Sequence, residues 1–370
     1  MKFNHILFDK VTINYDKKRI PLSATERKER KGSYRYYGAQ GVIDYVDDYI
    51  FDGTYLLIAE DGENLKSKKK NVAQMVEGKF WVNNHAHIVQ TNELCNLEYL
   101  YYLINSIDLS GHITGSAQPK LSQANLNSLE LILPDRESQD KVVSILKTLD
   151  SKIANNKEIN DNLSDQIQAI YSNEFDPTKH TPSGILADIC SYSSDRIPVS
   201  ALSVATYFST ENMQPNKMGP INATSLPSIT QTTECHKGDV LVSNIRPYFK
   251  KIVYITDDCC GCSTDVLCFV PKEKQYSAFL FGTLYMDRFF DYMVAGSKGT
   301  KMPRGDKKQI MDYPVVLPDK KSLDLFNGLV VPMLKQIATN RIESSRLATL
   351  RDALLPKLMS GELDVSELKI

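Results

Sequence analysis

The sequence predicts an α+β fold: two mixed α/β modules, each followed by a long helix, with the two helices pairing as an antiparallel coiled coil. Three observations lead to this prediction. The chain has 370 residues, enough for two domains and their connections. Strand-like segments, turn residues and a Leu-Pro-Asp tripeptide follow the same order in both halves. After each tripeptide, apolar residues recur at alternating steps of four and three, the heptad pattern of a coiled-coil helix.

Composition and charge narrow the class of protein. Hydrophobic residues make up 42% of the chain and charged residues 24%, which is typical of a globular protein and not of a disordered one. No apolar run reaches the length of about eighteen residues that a membrane span needs, and the N-terminus lacks a secretion signal. The seven cysteines have no disulfide-framework spacing, so we expect a reducing cytoplasm. The net charge of −1 argues mildly against DNA binding, but basic residues cluster locally.

The first module is predicted over residues 1–133. Short aromatic and β-branched segments, separated by Gly and Asp, predict strands at residues 34–38, 41–46, 52–59 and 80–89. Residues 97–107 are apolar and aromatic at helical spacing. The module is therefore expected to be a mixed α/β unit with a predominantly antiparallel sheet.

The first long helix is predicted over residues 134–178. Pro134 prevents the preceding strand from continuing, and Asp135 is a good N-cap residue. The apolar seam that follows contains Val142, Leu146, Leu149, Ile153, Asn156, Asn160, Leu163, Ile167 and Ile170. At 1.5 Å per residue, a helix of roughly forty residues is about 60 Å long, a length suited to spacing two modules.

The second module, residues 179–317, repeats the order of the first. It has strand-like segments at residues 238–243 and 263–270, and a helix-like segment at residues 279–293. The two modules differ in detail, as expected if each one recognises something different.

The second long helix and the C-terminal tail are predicted over residues 318–370. Phe326 and Asn340 lie 184 residues after Val142 and Asn156, so the two seams share one register. The simplest partner for each seam is the other one, antiparallel because the chain crosses a whole domain between them. Asn156 and Asn340 are then predicted to fix the register of the helix pair at some cost in stability.

Several motifs resemble those of the specificity subunit of type I restriction–modification systems, over nearly the whole chain. In the first module they are residues 38–41 (Gly-Ala-Gln-Gly), 52–62 and 80–87. In the second module and the tail they are residues 238–248, 263–266 and 355–364.

The resemblance implies a subunit that reads a bipartite DNA target and directs adenine methylation and restriction by partner subunits. It implies two methyltransferase subunits docked around the helices, with restriction subunits joining them. It places S-adenosylmethionine, ATP and magnesium on those partners, with no cofactor in this chain. The residues leave two alternatives open: a protein-binding scaffold or adaptor with tandem modules, and a stand-alone DNA-modifying enzyme.

The sequence gives no sign of a catalytic or metal centre. It lacks the Asn/Asp-Pro-Pro-Tyr/Phe stretch of amino-methyltransferases and a Gly-rich fingerprint for S-adenosylmethionine. Cys259 and Cys262 form one Cys-x-x-Cys, whereas structural zinc usually needs two such pairs. His85 and His87 alternate on a predicted strand and are expected to face one side, where packing or a hydrogen bond is favoured over a metal pair. We therefore expect a non-catalytic chain without bound metal.

Basic residues near glycines and after strands are the predicted DNA contacts. Glycine lets the backbone approach a phosphate closely, and phosphate contacts set position and affinity. The predicted phosphate-binding residues are Lys68, Lys69, Lys70, Lys120, Lys250, Lys298, Lys301 and Arg304. Base reading needs forked or amide side chains in a groove, so Asn244 and Arg246, just after a predicted strand, are the candidates for it.

Overall fold

The computed structural model describes residues 1–67, 71–115 and 118–368. The chain divides into two compact units: unit 1 contains Met1–Ile153 and Ser345–Ile370, and unit 2 contains Ala154–Ser344. This division cuts both long helices, whereas the boundaries predicted from the sequence keep each helix whole. Within the described ranges, no helix is long and apolar enough to cross a membrane.

Strands of three to ten residues and helices of four to ten residues precede the first long helix. The strands are β1 (Phe3–Leu7), β2 (Thr12–Asn14), β3 (Lys31–Gly38), β4 (Gly41–Val46), β5 (Phe51–Ala59), β6 (Ala73–Val82), β7 (Ala86–Thr91) and β8 (Glu130–Pro134). The helices are α1 (Phe8–Val11), α2 (Ala24–Glu29), α3 (Asn64–Ser67), α4 (Leu97–Ser106), α5 (Gln123–Asn127) and the long α6 (Arg136–Phe175).

The elements that follow end in the second long helix. The strands are β9 (Gly184–Ile185), β10 (Cys190–Tyr192), β11 (Arg196–Pro198), β12 (Tyr207–Phe208), β13 (Gln231–Cys235), β14 (Val240–Ser243), β15 (Ile252–Tyr254), β16 (Cys260–Cys262), β17 (Val266–Pro271) and β18 (Pro314–Val315). The helices are α7 (Leu186–Ile189), α8 (Ser277–Tyr285), α9 (Asp287–Ala295), α10 (Lys307–Met311) and the long α11 (Lys320–Ser360).

Unit 1 is built around a sheet in the order β2-β7-β5-β6-β3-β4. Its neighbours pair antiparallel except β3 and β6, which pair parallel. Helix α4 buries Tyr99 and Leu103 against Leu56 and Ile58 of β5. The strand predicted at residues 80–89 is wrong as a single strand, because the chain turns after Val82 and β7 begins at Ala86. A mixed α/β module with a mainly antiparallel sheet is confirmed.

Unit 2 has two four-stranded sheets, β10-β17-β14-β15 and β11-β13-β16-β12, and the short pair β18-β9. Helix α8 is buried along its whole length in the same core as α9. The helix predicted over residues 279–293 is wrong as one helix, because Met286 is extended, with φ −66° and ψ 139°, and separates α8 from α9. The α/β composition of the module is as predicted.

Both long helices begin at the predicted aspartates. The Asp135 Oδ1 accepts a hydrogen bond from the backbone N–H of Ser138 at 2.9 Å. The Asp319 Oδ1 accepts one from the N–H of Ser322 at 2.8 Å. In both cases the backbone donor lowers the pKa of the carboxyl below its ordinary value. Each aspartate satisfies a backbone N–H that the first helical turn leaves free, which confirms the N-cap prediction.

The two long helices run antiparallel along each other. In unit 2, the ring of Tyr171 on α6 lies 6.2 Å from that of Phe326 on α11. Further back along α6, Asn156 donates from Nδ2 to the Ser344 Oγ at 3.3 Å. Residue numbers therefore rise along α6 as they fall along α11, which confirms the predicted orientation. In unit 1, Val142 of α6 and Leu358 of α11 belong to one buried core.

The polar positions of the two seams meet inside unit 2. Asn156 and Asn340 are 1% and 4% exposed. Asn156 donates from Nδ2 to the Glu343 Oε2 at 2.7 Å, and Asn340 donates from Nδ2 to the Asn160 Oδ1 at 2.9 Å. The Asn340 Oδ1 also accepts from the Gln336 Nε2 at 2.7 Å. This network links both helices through directional bonds, which apolar seam residues do not supply.

We predict that Asn340→Ala lowers the free energy of unfolding by about 1–3 kcal/mol, because it removes a buried amide that hydrogen-bonds across the helix pair and deprives the half-buried Asn160 of a donor. Urea unfolding followed by circular dichroism measures the change. The matched control is Asn155→Ala, which removes an exposed asparagine of α6, the other helix of the pair. Equal unfolding free energies for the two variants would contradict the role given to Asn340.

Candidate nucleic-acid interface

The predicted basic residues of unit 1 are only partly described. Lys68, Lys69 and Lys70 lie outside the described residues. Lys120 exchanges two backbone hydrogen bonds with Thr114, each of 2.8 Å, across the loop that contains Gly115. Its side chain is half exposed, and its Nζ lies 3.3 Å from the Glu60 Oε1. The structure therefore places Lys120 at the surface, paired with the residue that precedes Gly115 and next to a carboxylate from a distant segment of the chain.

A buried histidine lies beneath this loop. His87 is 1% exposed, with its Nδ1 2.6 Å from the Asp16 Oδ2 and its Nε2 2.8 Å from the backbone oxygen of Leu121. The ring is thus held between a carboxylate and a backbone carbonyl, two groups that carry acceptor oxygens. Arg19 donates from Nη1 to the Glu60 Oε2 at 2.9 Å and extends the network towards the surface.

The carboxyl of Asp16 is held in its charged form. Burial acts to raise its pKa, but the hydrogen bond and charge of His87, the N–H of Ile88 and the charge of Arg19 outweigh burial and lower it. His85 is in a different environment: it lies in the turn before β7, about half exposed, and its Nδ1 is 2.6 Å from the Asp61 Oδ2. The expectation that His85 and His87 share one side of a strand is wrong, because His85 lies in the turn before β7 and is half exposed, whereas His87 is buried on β7.

We predict that Asp16→Asn destabilises unit 1 by about 3 kcal/mol at pH 7, because it removes a buried carboxylate that bonds His87 and the N–H of Ile88 and pairs with Arg19. The folded-state pKa of Asp16 is depressed, so its stabilisation is complete above its ordinary value of 3.8 and is lost as the pH falls through the folded-state pKa. Urea unfolding should be measured between pH 7 and pH 3. The difference in unfolding free energy between Asp16→Asn and the unmodified chain should become smaller at the acid end of this range. Asp9→Asn, at an exposed site, is the control. If the difference in unfolding free energy between the unmodified chain and Asp16→Asn stayed constant with pH, the charge of the Asp16 carboxylate would not be the source of the stabilisation.

In unit 2, two loops that are far apart in sequence come together. One follows β14 and carries Asn244 and Arg246, and the other follows α9 and carries Lys298, Lys301 and Arg304. The N–H of Arg246 donates to the backbone oxygen of Pro303 at 2.8 Å. Lys298 and Arg304 exchange backbone hydrogen bonds of 2.9 and 3.0 Å, which close the second loop into a hairpin-like turn. Arg246, predicted as a base reader, therefore shares one surface with the predicted phosphate contacts Lys301 and Arg304, whereas the other predicted base reader, Asn244, is buried.

The turn after β14 has an unusual backbone. Arg246 and Lys250 have φ values of 49° and 51°, in the left-handed region that residues with a side chain seldom adopt. Each costs on the order of 1 kcal/mol or more, so the surrounding structure must hold it. A third segment does this: the N–H of Asn216 donates to the oxygen of Phe249 at 2.8 Å, and that of Lys217 to the oxygen of Lys250 at 2.9 Å.

Three of the predicted cations of unit 2 contact carboxylates. Lys298 lies 2.7 Å from the Asp306 Oδ2, and Arg304 lies 2.9 Å from the Asp265 Oδ1. Lys250 lies 3.2 Å from the Asp287 Oδ1. Lys301 is exposed, and no ion pair of its side chain is found among the described residues. The surface therefore carries cations whose charges are mostly balanced locally.

A groove of about 680 Å³ lies beside these loops. Arg246, Phe249, Lys251 and Met302 line it together with polar side chains from residues 209–212 and 222–225, and with Asp265. Sequence reasoning missed Glu211 and Asn222, which come from segments without a motif, and Asp265, which lies in the motif at residues 263–266 but was not predicted as a site residue. The only available signal was their polarity, which surface loops share.

The cysteines of unit 2 do not form the arrangement that the Cys-x-x-Cys spacing suggests. Cys259 is exposed in a turn, whereas Cys262 is fully buried on β16. Burial raises the pKa of the Cys260 thiol to about 12. No group of three or more potential metal ligands is found within the described part of the chain.

Comparison with known proteins points to one family. Residues 10–165 match the model of the type I restriction modification DNA specificity domain. A segment of 141 residues is 33% identical to a putative type I restriction enzyme specificity subunit of Haemophilus influenzae, over 38% of this chain and 36% of that protein. The HindI type I restriction enzyme specificity subunit of the same organism is 21% identical over 91% of this chain and 89% of its own length.

Two further proteins are similar to this chain, one over part of its length and one over nearly all of it. The EcoprrI specificity subunit of Escherichia coli is 29% identical over 34% of this chain. The matched segments span 36% and 30% of the lengths of the H. influenzae putative subunit and the EcoprrI subunit. The crystal structure of a type I restriction–modification S subunit from M. genitalium has the same fold, with a TM-score of 0.63 at 14% identity over 96% of each chain.

Proposed function

We propose that the chain is a specificity subunit of a type I restriction–modification system and reads a bipartite DNA target for partner subunits. Each module would read one half-site. One observation supports the proposal above all: Arg246, Lys301 and Arg304 lie close together on one surface of unit 2. Cations on adjoining loops, beside a groove with polar lining, suit a contact with both the phosphates and the base edges of a duplex.

The proposed phosphate contacts are the surface cations, and their pairing with aspartates does not argue against this role. An exposed ion pair contributes about 0–1 kcal/mol, so a phosphate can replace the carboxylate at little cost. Binding to phosphate also releases counterions from DNA, which favours the exchange. In unit 1, Lys120 would serve in the same way.

The chemistry is proposed to belong to the partners. Two methyltransferase subunits would dock around the long helices, and restriction subunits would join them. These partners would bind S-adenosylmethionine, ATP and magnesium. This chain would select the DNA sequence at which adenine is methylated and DNA is cut. Methyl transfer by the purified chain alone would contradict this division of labour.

We predict that Lys301→Ala, in the chain assembled with its methyltransferase partner, weakens DNA binding similarly across sequences. The plot of log binding constant against log salt concentration should become less steep by about one, because one phosphate contact is lost. Binding measured by fluorescence anisotropy at several salt concentrations tests this. Lys274→Ala, which removes another exposed lysine of the same unit, is the control. A loss confined to one base position would mean that Lys301 reads a base.

We predict that removing residues 147–153 and 345–351 together shortens the DNA spacer between the half-sites by about 3 base pairs. Seven helical residues span about 10 Å, and base pairs rise about 3.4 Å each. These two heptads include Asp150 and Arg351, which face each other at 2.7 Å. Sequencing of methylated DNA in a host that expresses the chain with its partner gives the spacer directly.

The control for this experiment is removal of residues 147–153 alone, which shifts one seam against the other and should abolish methylation. An unchanged spacer in the double deletion would refute the role of the helices in setting the distance between half-sites.

A further inference from the structure

Arg246 lies at the edge of the groove in unit 2, and its guanidinium has hydrogen-bond donors without close acceptors. Its Nε is buried, and none of the described residues accepts a hydrogen bond from it. Its Nη2 has one long contact, 3.5 Å to the backbone oxygen of Lys301. Arg304, close by, instead has its Nη2 2.9 Å from the Asp265 carboxylate. A buried donor without an acceptor is costly, so Arg246 suits a ligand that brings acceptors.

The backbone holds Arg246 in place before any ligand arrives. Its N–H is bound to the oxygen of Pro303 at 2.8 Å, and its own oxygen accepts from the N–H of Phe249 at 2.9 Å. Pro247 follows directly in the sequence and fixes the next φ angle. A side chain that starts from such a fixed backbone loses less freedom when it binds.

The groove in front of Arg246 is lined by donors and acceptors of both kinds. Glu211 and Asp265 contribute carboxylates, and Asn222 contributes an amide. A site for phosphates alone would gain nothing from carboxylates, which repel them. Base edges, by contrast, present both donors and acceptors: guanine offers O6 and N7, and cytosine offers the N4 amino group. The lining therefore fits base edges better than a phosphate chain.

We propose that this groove reads base edges of one half-site, and that Arg246 determines its specificity by donating to O6 and N7 of a guanine. Glu211, on the facing segment, accepts from an amino group of a base in the same half-site. The inference rests on the proposed function, because it presupposes that unit 2 binds duplex DNA.

The test uses the full chain assembled with its methyltransferase partner and a random duplex DNA library as the probe. Methylated sequences are recovered and counted for the unmodified chain and for Arg246→Gln. The variant should lose about 10-fold to 100-fold of the preference for guanine at one position of one half-site, as expected for a lost bidentate contact. The other half-site should be read unchanged, which also shows that the assembly is intact.

Two further variants keep the test decisive if Arg246→Gln does not fold. Arg246→Lys keeps the charge and should retain a weakened preference for the same guanine. Glu211→Gln, at an exposed position, should change the preference at one base pair of the same half-site. Arg196→Gln, a surface arginine of unit 2 away from the groove, is the matched control and should leave every position unchanged.

The outcomes separate this inference from the proposed function. If the unmodified assembly shows no sequence preference, the proposed function itself fails. If it shows a bipartite preference but the Arg246 variants weaken methylation equally for all sequences, Arg246 contacts phosphate and the inference is overturned. Unchanged preferences in the Arg246 and Glu211 variants would also overturn it.

Discussion

The burial of two long apolar seams is the constraint on which the rest of this structure depends. A helix of 40 residues with one apolar stripe cannot remain exposed, and α6 and α11 bury their stripes against each other. The same stripes extend into the module cores: Tyr171 and Phe326 pack with Phe279 of α8 in unit 2. In unit 1, Val142 belongs to the core that contains Tyr99 of α4. Each module is thus attached to the helix pair through shared hydrophobic packing.

The helix pair could be predicted from the sequence because its determinants are local and periodic. The heptad spacing, the capping aspartates and the matching Asn156 and Asn340 all follow from residue order. The module interiors could not be predicted to the same degree. Asn83 and Asn84 interrupt an apolar segment, and only the pairing of β6 and β7 with β5 shows that the chain turns there. Neither Gly nor Pro stands at Met286, so the sequence contains no usual signal for the break between α8 and α9.

On the surface, too, some features could be predicted from the sequence and others could not. Basic residues near glycine could be identified as candidates, but the aspartates beside them come from distant segments. Asp287 of α9 lies against both Lys217 and Lys250, at 2.6 and 3.2 Å. These cations lower the pKa of Asp287 despite its partial burial, so it remains charged. Under the proposed function, such pairs would explain how a chain with a net charge of −1 can bind DNA, because phosphates would displace the anions that balance its surface cations.

Affinity and specificity then place opposite demands on neighbouring side chains. A cation that already contacts a carboxylate can exchange it for any phosphate, which supports binding without selecting a sequence. A side chain that selects must instead lose something when the correct base is absent. Arg246 meets this condition, because its buried Nε has no acceptor among the described residues while its backbone is fixed by Pro303 and Phe249. A base without O6 and N7 acceptors would give the guanidinium of Arg246 no new acceptor in exchange for its lost hydration, and this penalty is what would make Arg246 discriminate between bases.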